Sequence, residues 1–247
     1  MYNFQEKTIR EIALDAPLTI RVFEKHKIDF CCGGRVPFAE ACSNAGVDPS
    51  AVLSELESVS ASSDPKNDVD TRSARELIDH IVCTHHAFTR AEVQRLMPLA
   101  EKVATRHGEH HPELVEIRDI VLTLGNEMLV HMQKEEMMLF PYIEKLERAA
   151  ETNGSLPLPP FGTVNNPVRM MMFEHDQAGE MLRSIRSLSS DYATPEDACP
   201  SFKGLFAGLQ DLEADLHQHI HLENNILFPQ AIDFETQVFS TAGTAAV

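Results

Sequence analysis

The sequence predicts an all-α protein, a four-helix bundle preceded by a small helical domain. Three observations predict it. Long segments beyond Ser73 carry apolar residues at helical spacing. No segment has the alternating pattern of a strand. A His-x3-Glu…Leu-Phe-Pro unit occurs twice, at 131–141 and 219–229, with an offset of 88 residues at every matched position. Four helices with an internal duplication imply a bundle built from two similar halves.

Residues 1–57 read as the small helical domain. Ile9, Ile12 and Ala13, then Ile20, Val22 and Phe23, then Val52, Leu53 and Leu56 recur at helical spacing. The turn between them holds Cys31-Cys32-Gly33-Gly34. Residues 58–72, rich in Ser, Asp, Asn and Lys around Pro65, have linker composition. The bundle is expected over 73–239. Ser73 and Glu76 make a capping box for a first helix that reaches about His107, and Pro98 within it predicts a kink or early stop. A second helix runs from Pro112 to about Ala150, with an irregularity at Pro141. Residues 152–166 form the longest loop. Pro167 opens a third helix that ends near Ser190, and a fourth follows Pro200 to about Phe234. Residues 240–247 read as a flexible tail.

With 38 acidic against 21 basic residues the net charge is −17, which disfavours nucleic acid and anionic lipid as partners. No stretch approaches the roughly 18 to 20 apolar residues of a membrane span, and Met1 to Pro17 shows no secretory apolar core. Five cysteines, two of them adjacent, make a poor disulfide framework and suit a reducing compartment. The expected location is therefore the cytoplasm.

Twelve histidines direct attention to metal-ligand spacing. His131 with Glu135, and His219 with Glu223, stand at i and i+4 on one helix face, with Leu139 and Leu227 four residues further along the same stripe. A histidine and a glutamate on an inward stripe are costly to bury unless something partners both, and a metal ion does so. The third helix offers His175. In the first helix both His85 and His86 lie near the Leu77, Ile81 and Val82 stripe; the separation of 89 between His86 and His175 fits the repeat better. Four imidazoles and two bridging carboxylates suit two metals, each five-coordinate with a water-derived oxo or hydroxo bridge. Such mixed N/O ligation favours iron, with manganese the alternative.

Glu127 and Asp215 each precede a candidate histidine by four residues and are expected to accept a hydrogen bond from its other ring nitrogen. Glu174, beside His175, is placed near an access route. His217 and His221 should face away from His219, and His107, His110 and His111 should meet solvent at a helix junction. Cys31 and Cys32 are candidates for iron transfer or redox chemistry. Cys42, Cys83 and Cys199 read as core or incidental.

These residues resemble the hemerythrin-like domain and, more narrowly, the Repair of Iron Centres family, which joins an ScdA-type Cys-Cys-Gly-Gly module to a hemerythrin-like bundle. The matching segments are Asp29-Phe30-Cys31-Cys32-Gly33-Gly34, Asp79-His80-Ile81 with His86, His131-x3-Glu135, Glu174-His175-Asp176 and His219-x3-Glu223-Asn224. The family pattern selects His86 over His85. The resemblance implies repair of iron–sulfur clusters damaged by nitric oxide or oxidative stress. The partners it implies are damaged iron–sulfur proteins and the diatomic ligands NO and O2, met by a monomer or homodimer. Two other readings stand beside iron donation: an enzyme reducing nitric oxide to nitrous oxide, and an oxygen or nitric oxide sensor or carrier.

Overall fold

A computed structural model describes residues 4–30, 34–61 and 72–242. Cys31 and Cys32, the greater part of the expected linker and the last five residues of the expected tail lie outside them. The described residues are helical, with one isolated bridge between Thr8 and Pro37 and no strand. Contacts divide the chain into two compact units. One holds residues 1–73 with His217–Pro229, and the other holds Ala74–Leu216 with the residues from Gln230 onward.

The first unit contains α1 (Ile9–Asp15), α2 (Ile20–Lys25), α3 (Phe38–Asn44) and α4 (Pro49–Ala61). Thr8 opens α1 through a capping box. Its hydroxyl accepts from the Glu11 amide at 3.3 Å, and the Glu11 carboxylate accepts from the Thr8 amide at 2.8 Å. Phe4, Ile9, Ile12, Phe23, Phe30, Phe38, Val52 and Leu56 form its core, joined by Ile220. Phe30 meets the rings of His217 and His221 edge-on at 6.2 and 5.6 Å between centroids. A Cβ at position 34 would lie 2.4 Å from the Phe30 carbonyl oxygen, so only glycine fits there.

The second unit contains α5 (Ala74–His80), α6 (Ala87–His107), α7 (Glu113–Lys134), α8 (Phe140–Thr152) and α9 (Asn165–Leu188). To it also belong α10 (Pro200–Leu222) up to Leu216 and α11 (Phe228–Ala242) from Gln230. Its apolar stripes follow the heptad-like spacing of a bundle. On α7 the buried positions are Leu114, Ile117, Val121, Leu124 and Met128, and on α9 Ala178, Leu182 and Ile185. On α10 they are Leu205, Leu209, Leu212 and Leu216.

Three π-turns interrupt these helices: Ile81–His86 between α5 and α6, Glu135–Leu139 between α7 and α8, and Glu223–Leu227 between α10 and α11. The last two run into Phe140-Pro141 and Phe228-Pro229. A proline nitrogen cannot donate to the carbonyl four residues back, and its ring collides with it, so a wider turn before the proline relieves the conflict. The irregularity expected at Pro141 is this turn.

Elsewhere the structure differs from the expectations. Pro98 neither stops nor splits α6, which runs unbroken from Ala87 to His107. Pro98 is exposed, while Leu96, Ala100 and Val103 bury the opposite face on both sides of it. The first turn of α5 is capped by Glu147 of α8, whose carboxylate accepts from the amides of Ala74 at 2.6 Å and Arg75 at 3.2 Å. α11 continues to Ala242 rather than fraying at 240, because Val238 is buried. His107 and His111 are half-buried and bonded to neighbouring side chains rather than left to solvent alone. The Nε2 atom of His107 lies 3.2 Å from the Cys199 sulfur, and His111 bonds Asp197 and Glu113.

Candidate metal centre

The second unit brings four of the expected ligands together from three helical segments. His86 ends the first π-turn, His131 sits in the last turn of α7, Glu135 begins the second π-turn and His175 lies mid-α9. The first π-turn gives the two adjacent histidines different partners. The buried stripe runs through Ala74 and Leu77 on α5 to Ile81 at the start of the π-turn, and one residue more than a helical turn brings it to His86; His85, also buried, bonds Asp215. From His86 the stripe resumes through Thr89, Val93, Leu96 and Ala100.

All four side chains are sealed from solvent, none more than 1% exposed. The Glu135 Oε2 atom lies 3.3 Å from His131 Nε2 and 3.5 Å from His86 Nε2, and His131 Nε2 lies 2.9 Å from His175 Nε2. The Nδ1 atoms of His86 and His131 are both committed to carboxylates: Glu136 accepts from His86 at 2.6 Å, and Glu174 from His131 at 2.8 Å. In the neutral imidazole this assigns the proton to Nδ1 and the lone pair to Nε2. Electron pairs of imidazole nitrogens and a carboxylate oxygen therefore converge on one dry point. A cation satisfies all of them at once, so the residues fit a metal.

The two supporting carboxylates are backed by cations. Arg90 donates to Glu136 at 2.7 Å, and the Lys134 ammonium donates to Glu174. Burial pushes both carboxyls up. The hydrogen bonds from Arg90 and His86 on Glu136, and from Lys134 and His131 on Glu174, outweigh it and hold both below the usual carboxylate range. A cavity of about 360 Å³, lined by Asn126, Glu127, Val130, Lys134, Glu174 and Gln177 among others, opens beside this carboxylate. Glu127 thus lies on the cavity wall and is exposed, while the bond from His131 goes to Glu174. The partner expected for His131, Glu127, is therefore replaced by Glu174. An acceptor on the facing helix meets the outward nitrogen more directly than one a turn back on the same helix.

In the first unit His219 and Glu223 form the matching pair, with His219 Nε2 2.9 Å from Glu223 Oε1 and both buried. His219 lies in the last turn of α10 and Glu223 begins the third π-turn, both in register with Leu209, Leu212 and Leu216 at heptad spacing. His217 and His221 leave the helix on another side, where His217 is half-buried and His221 buried. His221 is 3% exposed and accepts from Asn225 Nδ2 at 2.8 Å. Asp215 accepts from His85 Nδ1 at 2.9 Å, within the second unit.

Sequence reasoning missed Glu136, Arg90 and Lys134. Their signal was present: Glu136 adjoins a candidate ligand, and each cation stands one helical turn past a candidate histidine.

Residues 77–231 match the hemerythrin HHE cation binding domain. The chain belongs to the hemerythrin HHE cation-binding family. Residues 5–60 match ScdA_N, a domain of unknown function. This hemerythrin-family chain is 33% identical to the iron-sulfur cluster repair protein ScdA of Staphylococcus haemolyticus, over 90% of its own length and 96% of the relative's. It is 33% identical to a probable iron-sulfur cluster repair protein of Haemophilus influenzae, over 94% and 99% respectively. With the iron-sulfur cluster repair protein YtfE of Escherichia coli O157:H7 the identity is 32%, over 93% and 98%. No helix among the described residues is long and apolar enough to cross a membrane.

Proposed function

We propose that this hemerythrin-family chain is a di-iron protein that repairs iron–sulfur clusters damaged by nitric oxide or oxidative stress, as an iron donor that also binds nitric oxide. The observation that carries the reading is the convergence of imidazole lone pairs on the buried Glu135 carboxylate. The duplication supports the full ligand set: His219 and Glu223 stand 88 residues beyond His131 and Glu135 and are buried as a pair in the same way, so the set adds them to His86, His131, Glu135 and His175, with Glu135 and Glu223 as the two bridging carboxylates.

These residues would hold two irons, and the pair would supply redox-active iron that takes small ligands such as NO and O2. The chain's own residues do the rest. His86, His131, His175 and His219 present nitrogen lone pairs, and Glu136 and Glu174 keep the Nδ1 protons of two of them in place. The surrounding apolar residues exclude water. Relatives named for iron–sulfur cluster repair, matched along nearly their whole length, support damaged iron–sulfur proteins as the partners. The comparisons lend no support to the nitric oxide reductase or oxygen-carrier readings. The protein works in the cytoplasm, as a monomer or homodimer, and Cys31 and Cys32 take part in iron transfer or reduction.

The test is restoration of an iron–sulfur enzyme inactivated by nitric oxide, using iron-loaded protein under anaerobic conditions. Wild type restores activity, Glu135→Ala with Glu223→Ala does not, and Cys31→Ser with Cys32→Ser loads iron but repairs poorly. Equal restoration by wild type and the glutamate double variant overturns the reading.

A further inference from the structure

We propose that Arg90 and Lys134 are positioning residues that keep the centre's iron exchangeable, acting through Glu136 and Glu174 on the donor strength of His86 and His131. The inference rests on the iron-donor reading above and names what regulates that site. A carboxylate that accepts from the far nitrogen of a metal-ligating imidazole draws the proton toward itself and makes the imidazole a stronger donor. A cation on the other side of that carboxylate takes up part of its charge and weakens the pull. The same chain of contacts is built twice here. Arg90 donates to Glu136 at 2.7 Å, and Glu136 accepts from His86 at 2.6 Å. Lys134 donates to Glu174, which accepts from His131 at 2.8 Å.

The two chains are not copies made by the 88-residue duplication. In one, α6 supplies the histidine's cation and the second π-turn the carboxylate; in the other, α7 supplies the cation and α9 the carboxylate. The same arrangement has thus arisen from non-equivalent positions. Stability does not explain the cations. The Arg90 and Lys134 side chains are 40% and 35% exposed, and an ion pair whose cation stands that far in solvent contributes little. A donor of iron, unlike a store, gains from ligands held in place but not strengthened to the full.

Iron-loaded wild type, Arg90→Met, Lys134→Met, Glu136→Gln and Glu174→Gln are compared by rate of iron loss to a ferrous chelator and by midpoint potential. The cation variants should keep full iron content, release it more slowly and shift to lower potential. The carboxylate variants should bind iron roughly ten- to a hundredfold more weakly and shift to higher potential. Arg90→Lys and Lys134→Arg should restore wild-type behaviour. Opposite signs for the two sets are the signature, because a merely structural salt bridge loses iron whichever partner is removed. Shifts of the same sign, or none, in iron-loaded variants overturn this inference alone. A wild type that takes up no iron overturns the functional reading instead.

Discussion

Replacing Glu135 by glutamine separates the metal's contribution from that of packing. Glu135 is fully buried, and its Oε2 atom faces imidazole nitrogens at 3.3 and 3.5 Å. Glutamine has the same shape, so no cavity forms, and its amide can donate to an imidazole lone pair. It cannot supply the anionic oxygen that the proposed pair of irons would require. A ligand bound only by the folded state stabilises by about 2.7 kcal/mol at a hundredfold excess over its dissociation constant. For a chain of this length each kcal/mol moves the melting temperature by about 2–4 °C, so ferrous iron should raise the wild-type transition by about 5–11 °C. The Glu135→Gln variant should lose most of that rise, while its metal-free melt stays at or above the wild-type value, since a buried carboxylate has been replaced by a neutral group. Anaerobic scanning calorimetry with and without ferrous iron measures both. An iron-induced rise in the variant equal to that of wild type refutes the reasoning.

Glu147→Ala removes the carboxylate that caps α5 at 2.6 and 3.2 Å, and should destabilise the protein by about 2 kcal/mol in urea titrations. Pro98→Ala restores an amide to the middle of the unbroken α6 at an exposed position, and should stabilise by about 1–3 kcal/mol in the same assay. The pair between His111 and Asp197 makes stability depend on pH. Hydrogen bonding to Asp197, opposed in part by burial and aided by Glu113, raises the imidazole above its ordinary 6.5. The same bond, against slight burial, lowers the Asp197 carboxyl below its ordinary 3.8. The imidazole's contribution is fully present below 6.5 and is lost as pH rises through the raised value. That of the carboxylate is present above 3.8 and is lost as pH falls through the depressed one. The stability gap between wild type and His111→Gln should therefore be widest near pH 5 and close by about pH 9.

Much of the fold could be read from local pattern. The stripes on α7, α9 and α10 are periodic in the sequence, and Pro141 announces the turn before it; the matching turn before Pro229 was legible only through the repeat. What escaped reading depended on partners distant in the chain. Pro98 looks like a helix breaker, but the apolar face opposite it keeps α6 continuous from Ala87 to His107. The α5 cap comes from Glu147, 73 residues from the amide it serves. The choice of His86 over His85 needs a π-turn, which adds one residue to the stripe and which no helical period expresses. Among the site residues, the inward His-Glu pairs were legible because their neighbours four residues on are apolar. Glu174 was legible as a carboxylate near the site, but its pairing with His131, and Glu136 altogether, were not, because a histidine's outward nitrogen finds its partner on whichever helix packs alongside.

Metal analysis of protein reconstituted with ⁵⁷Fe, joined to its Mössbauer spectrum, tests the central claim most directly. The account predicts two irons per chain, magnetically coupled, with loading abolished when Glu135 and Glu223 are both replaced by alanine. A single uncoupled iron, or loading that survives that double replacement, would contradict it.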